Sequence, residues 1–182
     1  MIGTTVHTDN APRWRVEIIP DSAILRDGKP LFVPITDAVP EFSAGIAFRA
    51  CRLGKNIARK FASRYFDAMT LCVKMNHTAD EALFTAEDLR RFADNAVTLG
   101  EWVDLASADP ATADVKVGEQ GFNAEASYTA ALDLLSDASR HATIKMGDVV
   151  AVDLQRLEPQ PQINDFVTGT INGNTALRFR IK

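Results

Sequence analysis

The sequence contains few cysteines, and none of its apolar runs is long. Only Cys51 and Cys72 occur among the 182 residues, and their spacing is not that of metal ligands. We therefore expect two buried free thiols in a protein of a reducing compartment. No apolar stretch reaches the roughly 20 residues of a membrane span. Residues 1–10 lack the basic start and apolar run of a signal peptide. A cytoplasmic protein without a membrane partner is expected.

The motifs of several common enzyme classes are also missing. No serine lies in a Gly-x-Ser-x-Gly context, and the glycines form no phosphate-binding loop. His77 lies near Asp80 and Glu81, but a polar surface insertion is favoured over a metal-binding loop. His141 follows a predicted helix, and we expect it to contact the carbonyls at the helix end rather than to act in catalysis.

The net charge of −4 and the isoelectric point near 5.4 exclude a global basic field. We therefore expect no nucleic-acid partner. Basic residues nevertheless cluster locally, at roughly helical spacing, and this pattern predicts a solvated face or a patch for acidic partners. The cluster consists of Arg49, Arg52, Lys55, Arg59, Lys60 and Arg64.

The length and the hydrophobic content of 46% predict one domain with a buried core. Apolar periodicity predicts helices over residues 56–65, 85–97 and 127–140, the second with Thr85 as N-cap and Asp88 close to a capping box. Strands are predicted at 15–19, 43–52, 68–73 and 114–117. Asp27-Gly28 and Asn172-Gly173 predict hairpins of residues 22–33 and 166–181. Many strands with a few helices indicate an α+β fold that is mainly β.

The most informative stretch is residues 42–68, in which a predicted strand is followed by the run Arg52-Leu53-Gly54-Lys55-Asn56. Together with residues 19–30, 84–89, 143–150 and 166–181 it forms an ordered series of motifs. This series resembles the fumarylacetoacetate hydrolase (FAH) superfamily in its short, single-domain bacterial form. Residues 42–68 resemble the central strand of the family and the helix after it, and residues 52–67 are the strongest match. The resemblance implies one FAH-like domain over residues 1–182, a mixed β-roll or sandwich with a few flanking helices. It also implies a homodimer, and an N-terminal part that is truncated or divergent relative to the family.

In that family, the strand before the Arg-Leu-Gly-Lys-Asn run carries a Glu-x-Glu pair that binds Mg²⁺ or Mn²⁺. Side chains at i and i+2 of a strand share a face, so two carboxylates there can grip one hard cation. An ungapped alignment places Ser43 and Gly45 at these two positions. One neutral hydroxyl cannot replace two carboxylates, so we expect affinity for a divalent ion to be lost.

The other site positions implied by the resemblance are altered as well. The third metal ligand, an aspartate, falls at Lys74 or at Leu83, depending on where an insertion is placed. The active-site lysine falls at Ala106. The Thr-Gly-Thr-Pro loop that contacts the substrate carboxylate falls at residues 151–154 and is absent. The N-terminal Gly-x-Asn-Tyr segment is missing too, and His7 matches its histidine too loosely to be used.

Lys74 is interpreted as a charge surrogate or an edge lysine in preference to a Schiff-base lysine of low pKa. Asp67 matches a family aspartate and is expected to have a structural role in a turn.

The sequence therefore predicts a pseudoenzyme without a metal cofactor. Its role would be ligand sensing, a structural subunit, or association with an active paralogue. The alternative is an active Mg²⁺- or Mn²⁺-dependent hydrolase, isomerase or decarboxylase of 2-oxo acids, with the metal held by Glu41, Asp67 or Asp104. A third possibility is a binder of a small acidic ligand that uses the residual pocket. Its binding residues would be Arg49, Arg52 and Lys55.

Overall fold

A computed structural model describes residues 1–7, 12–26, 28–33 and 40–182. In these ranges the chain forms thirteen strands, two α-helices and two short 3-10 helices. The strands are β1 (Ile2–His7), β2 (Pro12–Glu17), β3 (Ile24–Leu25), β4 (Glu41–Ala50), β5 (Phe66–Asn76), β6 (Val97–Leu99), β7 (Val103–Asp104), β8 (Asp114–Val117), β9 (Gln120–Asn123), β10 (Val149–Val152), β11 (Gln155–Arg156), β12 (Phe166–Ile171) and β13 (Asn174–Arg180). The helices are α1 (Ala86–Phe92), α2 (Ala124–Ser139) and the 3-10 helices Asp21–Ala23 and Arg59–Tyr65.

Two sheets make up the fold. The larger has nine strands in the order β2-β1-β10-β4-β5-β6-β3, with β11 also paired to β4 and β7 also paired to β5. The β1–β10 and β3–β6 pairs are parallel and the other pairs antiparallel. The smaller sheet is antiparallel, in the order β13-β12-β8-β9. This architecture confirms the predicted α+β class that is mainly β.

The central strand β4 is covered on both faces. Phe42, Ile46 and Phe48 point into the main core, which also includes buried side chains of α2 and of the smaller sheet. Ala47, on the opposite face, belongs to a second and smaller apolar cluster that includes Cys72. Because successive side chains of a strand alternate between faces, Ser43 and Gly45 lie on the face of this smaller cluster.

Local signals in the sequence identified several elements correctly. Thr85 caps α1 in a capping box with Asp88, as predicted. The C-terminal hairpin is present, and both turn residues, Asn172 (φ 51°) and Gly173 (φ 78°), have the positive φ of a type I′ turn. The strand 114–117 is β8, with the predicted bounds. None of the helices in the described part of the chain is long and apolar enough to cross a membrane.

Other expectations were wrong. The helix 85–97 ends at Phe92, because Val97 begins β6 and pairs with Lys74. The segment 56–65 is a 3-10 helix that begins at Arg59, since Asn56 has a φ of 52° that an α-helix cannot contain.

The predicted hairpin 22–33 is not formed by its described residues. Instead, β3 pairs in parallel with β6, and Leu31 bridges to Ile181. Pairing with distant strands therefore replaces the local pairing at this sheet edge. Asp27, at the predicted turn, lies outside the described residues.

Candidate functional site

Strands β4 and β5 place Ser43 and Lys74 opposite each other. The two residues are register partners in the antiparallel ladder, and Gly45 is opposite Cys72. Asn76, two residues after Lys74 on the same face, donates a hydrogen bond from Nδ2 to Ser43 Oγ at 3.0 Å. The Ser43 hydroxyl is therefore already engaged within the protein.

Lys74 forms a buried ion pair with Glu17, the last residue of β2. Its ammonium donates a hydrogen bond to Glu17 Oε2, and the two side chains are only 6% and 16% exposed. Trp14 packs on the main core, so the alternation of β2 directs Glu17 to the other face, where Lys74 lies. The positive charge beside Ser43 is thus neutralised by a carboxylate from the second strand of the chain. Strand β5 lies between β4 and β6, so Lys74 is not at a sheet edge.

Leu154 fills the space next to Gly45. A Cβ placed on Gly45 would lie 2.7 Å from Leu154 Cδ2, which is too close for an ordinary contact. The neighbouring acid, Asp153, accepts hydrogen bonds from the backbone N–H and the hydroxyl of Thr5, at 2.7 and 3.0 Å. The segment after β10 therefore places the side chain of Leu154 over Gly45 and directs the carboxylate of Asp153 to β1.

Cys72 supplies no anionic ligand to this face. It is 1% exposed and packs among apolar side chains of the smaller cluster. Burial raises the pKa of its thiol to about 12. The sulfur stays protonated at neutral pH, whereas metal binding by cysteine requires the thiolate.

The structure does not bring all the predicted positions together. Leu83 is 85% exposed and lies beyond the end of β5, so Lys74 is the residue next to Ser43. Ala106 follows β7, which pairs with Ala68 and Met69 near the start of β5. Six residues of a strand separate Ala68 from Lys74, roughly 20 Å. Ala106 is therefore remote from the Ser43–Lys74 pair.

The carboxylates of the alternative metal site do not converge either. Glu41 is held by Arg156 at 3.0 Å, and this hydrogen bond keeps the pKa of Glu41 below its ordinary value. Asp67 is held by Arg49 at 2.9 Å, at the opposite end of the β4–β5 ladder. Asp104 is exposed on β7. Within the described ranges, no group of three or more His, Cys, Asp or Glu side chains could share a metal ion.

The three predicted binding residues follow one another along the surface. Arg49 is fixed by Asp67 and lies over the ring of Trp102, 5.3 Å from its centroid. Arg52 is exposed, and Lys55 Nζ is 3.5 Å from the carbonyl oxygen of His141. Only Arg49 lies on the face of the smaller cluster.

A cavity of about 410 Å³ lies further along that side of the molecule. It is bounded by the segment after β6 and by β13, and its lining includes Arg26, Trp102 and Arg178. Ser43, Gly45 and Lys74 do not line it. Glu101 also lines it, and Arg26 is paired with Asp21 at 2.7 Å, so Arg178 is the residue of this lining that could bind a small anion.

His77 is not the surface residue that the sequence predicted. It is 6% exposed, and its Nε2 has no hydrogen-bond partner among the described residues. Burial lowers the pKa of the imidazole. The backbone carbonyl of His77 accepts a hydrogen bond from Arg90 Nε at 2.7 Å, which links the residue to α1. At His141, the backbone N–H donates to the carbonyl of Ala138 at the end of α2 (3.0 Å).

Sequence reasoning missed Glu17 and Leu154, which complete the site. Glu17 lies 57 residues before Lys74, and no local pattern marks it as a partner. Together these residues do not fit a hard divalent cation. The positions implied by the resemblance offer a hydroxyl, a glycine and an ammonium group, whereas Mg²⁺ and Mn²⁺ prefer several anionic oxygens.

A mixed nine-stranded sheet, whose central strands β4 and β5 are largely buried, and a smaller antiparallel sheet make up this fold. Solved structures that include an FAH-family protein share the fold over nearly the whole chain. A protein from Yersinia pestis assigned to the fumarylacetoacetate hydrolase family superposes with a TM-score of 0.74 at 15% identity, covering 100% of this chain and 92% of its own. The resemblance found in the sequence is therefore confirmed at the level of the fold.

Two isomerases are similar in the same way. The 2-hydroxyhepta-2,4-diene-1,7-dioate isomerase of Mycobacterium marinum has a TM-score of 0.74 at 17% identity, with 99% of this chain and 72% of that chain covered. The 5-carboxymethyl-2-hydroxymuconate delta-isomerase of Mycobacterium smegmatis has a TM-score of 0.71 at 16% identity, with 99% and 77% covered. No protein-family model and no curated protein matches the sequence.

Proposed function

We propose that this protein is a pseudoenzyme with an FAH fold, which has lost divalent-metal-dependent catalysis and acts as a ligand-binding or partner subunit. The observation that carries the proposal is the buried Lys74–Glu17 ion pair beside Ser43 and Gly45. Where the resemblance implies three carboxylates around a metal ion, this chain has the positively charged ammonium group of Lys74. The positive charge is built into the protein and is already neutralised.

Electrostatics argue against a second cation at this place. A divalent ion beside Ser43 would face the Lys74 ammonium at short range, and repulsion is strong where water is scarce. Glu17 could serve as a ligand only after release from Lys74, which would leave a buried ammonium group without a partner. Such a rearrangement costs several kcal/mol, about 3 to 5 for breaking a buried pair.

The competing proposal is an active hydrolase, isomerase or decarboxylase of 2-oxo acids. The named activities of the two mycobacterial isomerases belong to those proteins. In this chain, such an activity would need a metal held by Glu41, Asp67 or Asp104. Glu41 and Asp67 are bound to arginines at opposite ends of the ladder. We therefore favour a non-catalytic role, with the cavity near Trp102 as the place for a small acidic ligand.

The test is calorimetric titration of the protein with Mg²⁺ and with Mn²⁺. We expect no stoichiometric binding, and no Mn²⁺-dependent turnover of an acylpyruvate or of oxaloacetate. A matched positive control is the variant S43E/G45E/K74D/L154A, which restores the three carboxylates and clears the space over residue 45. Tight binding by the unaltered protein that Glu41→Gln or Asp67→Asn abolishes would overturn the proposal.

We also propose that the protein is a homodimer, as the resemblance implies. Size-exclusion chromatography with light scattering tests this directly, and twice the chain mass of 19.9 kDa is expected. A mass of one chain at all concentrations would contradict it.

A further inference from the structure

Positive charge is concentrated in one short part of the chain. Residues 42–66 contain no aspartate or glutamate and six basic residues, namely Arg49, Arg52, Lys55, Arg59, Lys60 and Arg64. The whole chain has a net charge of −4 and this run has +6, so the remainder has −10. The segment covers β4 from its second residue, the turn after it, the 3-10 helix Arg59–Tyr65 and the first residue of β5.

Only two of the six basic residues are neutralised by carboxylates. Arg49 is paired with Asp67, and Arg59 with Asp133. The other four are exposed and have no carboxylate within 4 Å in the described part of the chain: Arg52, Lys55, Lys60 and Arg64. We call these four residues the basic surface. Within residues 42–66 no acidic residue lies between them in the sequence.

Two aliphatic side chains project beside the basic surface. Leu53 is 70% exposed and Met146 is 76% exposed. The two segments that carry them are joined by a β-bridge between Gly54 and Ile144, which exchange two backbone hydrogen bonds of 2.9 Å. The bridge brings the segments that carry these two side chains together, and exposed apolar groups of this size are available for contact with a partner.

Phe61 holds part of the basic surface in position. Lys60 Nζ lies 5.0 Å and Arg64 Cζ 4.8 Å from the centroid of its ring. Cation–π contacts of this kind restrict the side chains without removing their charge. Part of the conformational entropy that these two side chains would lose on binding is therefore already lost in the free protein.

We propose that the basic surface, with Leu53 and Met146, docks an acidic segment of another protein that carries an aliphatic anchor. Charge complementarity selects an acidic partner and speeds its association, while the two aliphatic side chains supply apolar contact. Nucleic acid fits less well, because the remainder of the chain is strongly negative and would repel a polyanion. The proposal does not depend on the absence of catalysis. Nine residues of strand and turn separate Arg52 from Ser43, roughly 30 Å.

The experiment uses the full chain and a fluorescein-labelled peptide that is rich in Asp and Glu and contains two leucines. Binding is followed by fluorescence anisotropy at low and at physiological salt. The variant R52E/K60E/R64E should bind at least about tenfold more weakly, as loss of several interface charges would predict. The matched control R13E/K29E/K182E changes the net charge by the same amount at exposed residues on other parts of the surface and should bind nearly as well. Circular dichroism and thermal melting verify that both variants are folded.

A second pair of probes tests the apolar part. The L53S/M146S variant should lose affinity for the leucine-containing peptide and bind it no better than a peptide with serines in place of the leucines. Equal weakening by the two charge-reversal variants would show a general charge effect and overturn the proposal. Binding of a lysine-rich peptide as tightly as the acidic peptide would also overturn the proposal. Tighter binding of duplex DNA or of anionic lipid vesicles, lost in R52E/K60E/R64E, would assign the surface to that ligand instead.

Discussion

Lys74 of strand β5 is paired, largely shielded from water, with Glu17 at the end of β2. The pair spans the outer and central parts of the larger sheet and joins residues that are 57 positions apart. It lies on the face where the resemblance implies a metal. A structural ion pair thus stands where the resemblance implies three carboxylates.

Removal of one partner of this pair should destabilise the protein strongly. We expect Lys74→Met or Glu17→Gln to lower the free energy of unfolding by about 3 to 5 kcal/mol, because each leaves a buried charge without its counterpart. The double variant K74M/E17Q should recover most of the loss, since no charge remains. Urea unfolding of the four proteins measures the effect.

The exposed ion pair Arg15–Glu87 is the control for this double-mutant comparison. Its side chains are 56% and 48% exposed. Its removal should cost less than about 1 kcal/mol, as for other surface ion pairs. Equal costs for the two pairs would show that Lys74 and Glu17 are solvated in solution.

The contact between Gly45 and Leu154 gives a second prediction. Gly45→Ala should destabilise the protein by about 1 kcal/mol, because the new methyl group meets Leu154 Cδ2 and this half-buried side chain must turn aside. In the background of Leu154→Ala, the same substitution should be close to neutral. Thermal unfolding of the two single variants and the double variant tests this compensation. Additive costs would mean that Leu154 does not occupy the space over Gly45.

A third prediction concerns the junction of the two sheets. A Cβ on Gly100 would lie 2.2 Å from the backbone oxygen of Ala176 on β13, which cannot rotate away. We expect Gly100→Ala to separate the strands and to cost more than about 2 kcal/mol. Gly121→Ala is the control, since a Cβ there meets nothing within 4 Å. Similar melting temperatures for both variants would contradict the packing described between β6 and β13.

The two cysteines should differ sharply in reactivity. Cys51 is half-buried, whereas Cys72 is buried with a thiol pKa raised to about 12. Ellman's reagent should therefore label one thiol of the folded protein quickly and the second only after unfolding. The variant Cys51→Ala should show no fast labelling at neutral pH. Fast reaction of that variant would place Cys72 in contact with solvent.

Alkaline pH should weaken the fold through the same residue. The raised pKa means that the folded state binds the thiol proton more tightly than the unfolded chain does. The stability that this bound proton contributes is complete below the ordinary pKa of a cysteine thiol and is lost as the pH rises towards about 12. Cys72→Ala should reduce the alkaline loss of stability relative to the unaltered protein, as measured by urea unfolding at increasing pH.

Acid should weaken the fold through His77. Burial lowers the pKa of its imidazole from the ordinary value of 6.5, with Glu81 opposing and Arg90 adding to the shift. The unfolded chain therefore binds a proton more readily than the folded protein. The stability contributed by the neutral, buried His77 is complete above pH 6.5 and is lost as the pH falls below this value. His77→Gln should flatten this part of the stability profile, whereas His141→Gln, at an exposed site, should not. An unchanged profile in His77→Gln would contradict the burial of the ring.

Parts of the fold that depend on neighbouring residues could be predicted from the sequence. The Asn172-Gly173 turn and the Thr85 cap are local, because a few adjacent residues determine both. The pairing of β3 with β6 and the contact of Glu17 with Lys74 could not be predicted this way. They depend on strands that meet only in the folded sheet. The resemblance implied positions for metal ligands, but the structure was needed to show which residues surround those positions.

The most direct test of the account is a crystal structure of the protein soaked in manganese, with anomalous diffraction data. We expect no anomalous peak beside Ser43 and Gly45, and the ammonium of Lys74 against the carboxylate of Glu17. A manganese ion coordinated there by protein oxygens, with Lys74 displaced from Glu17, would contradict it.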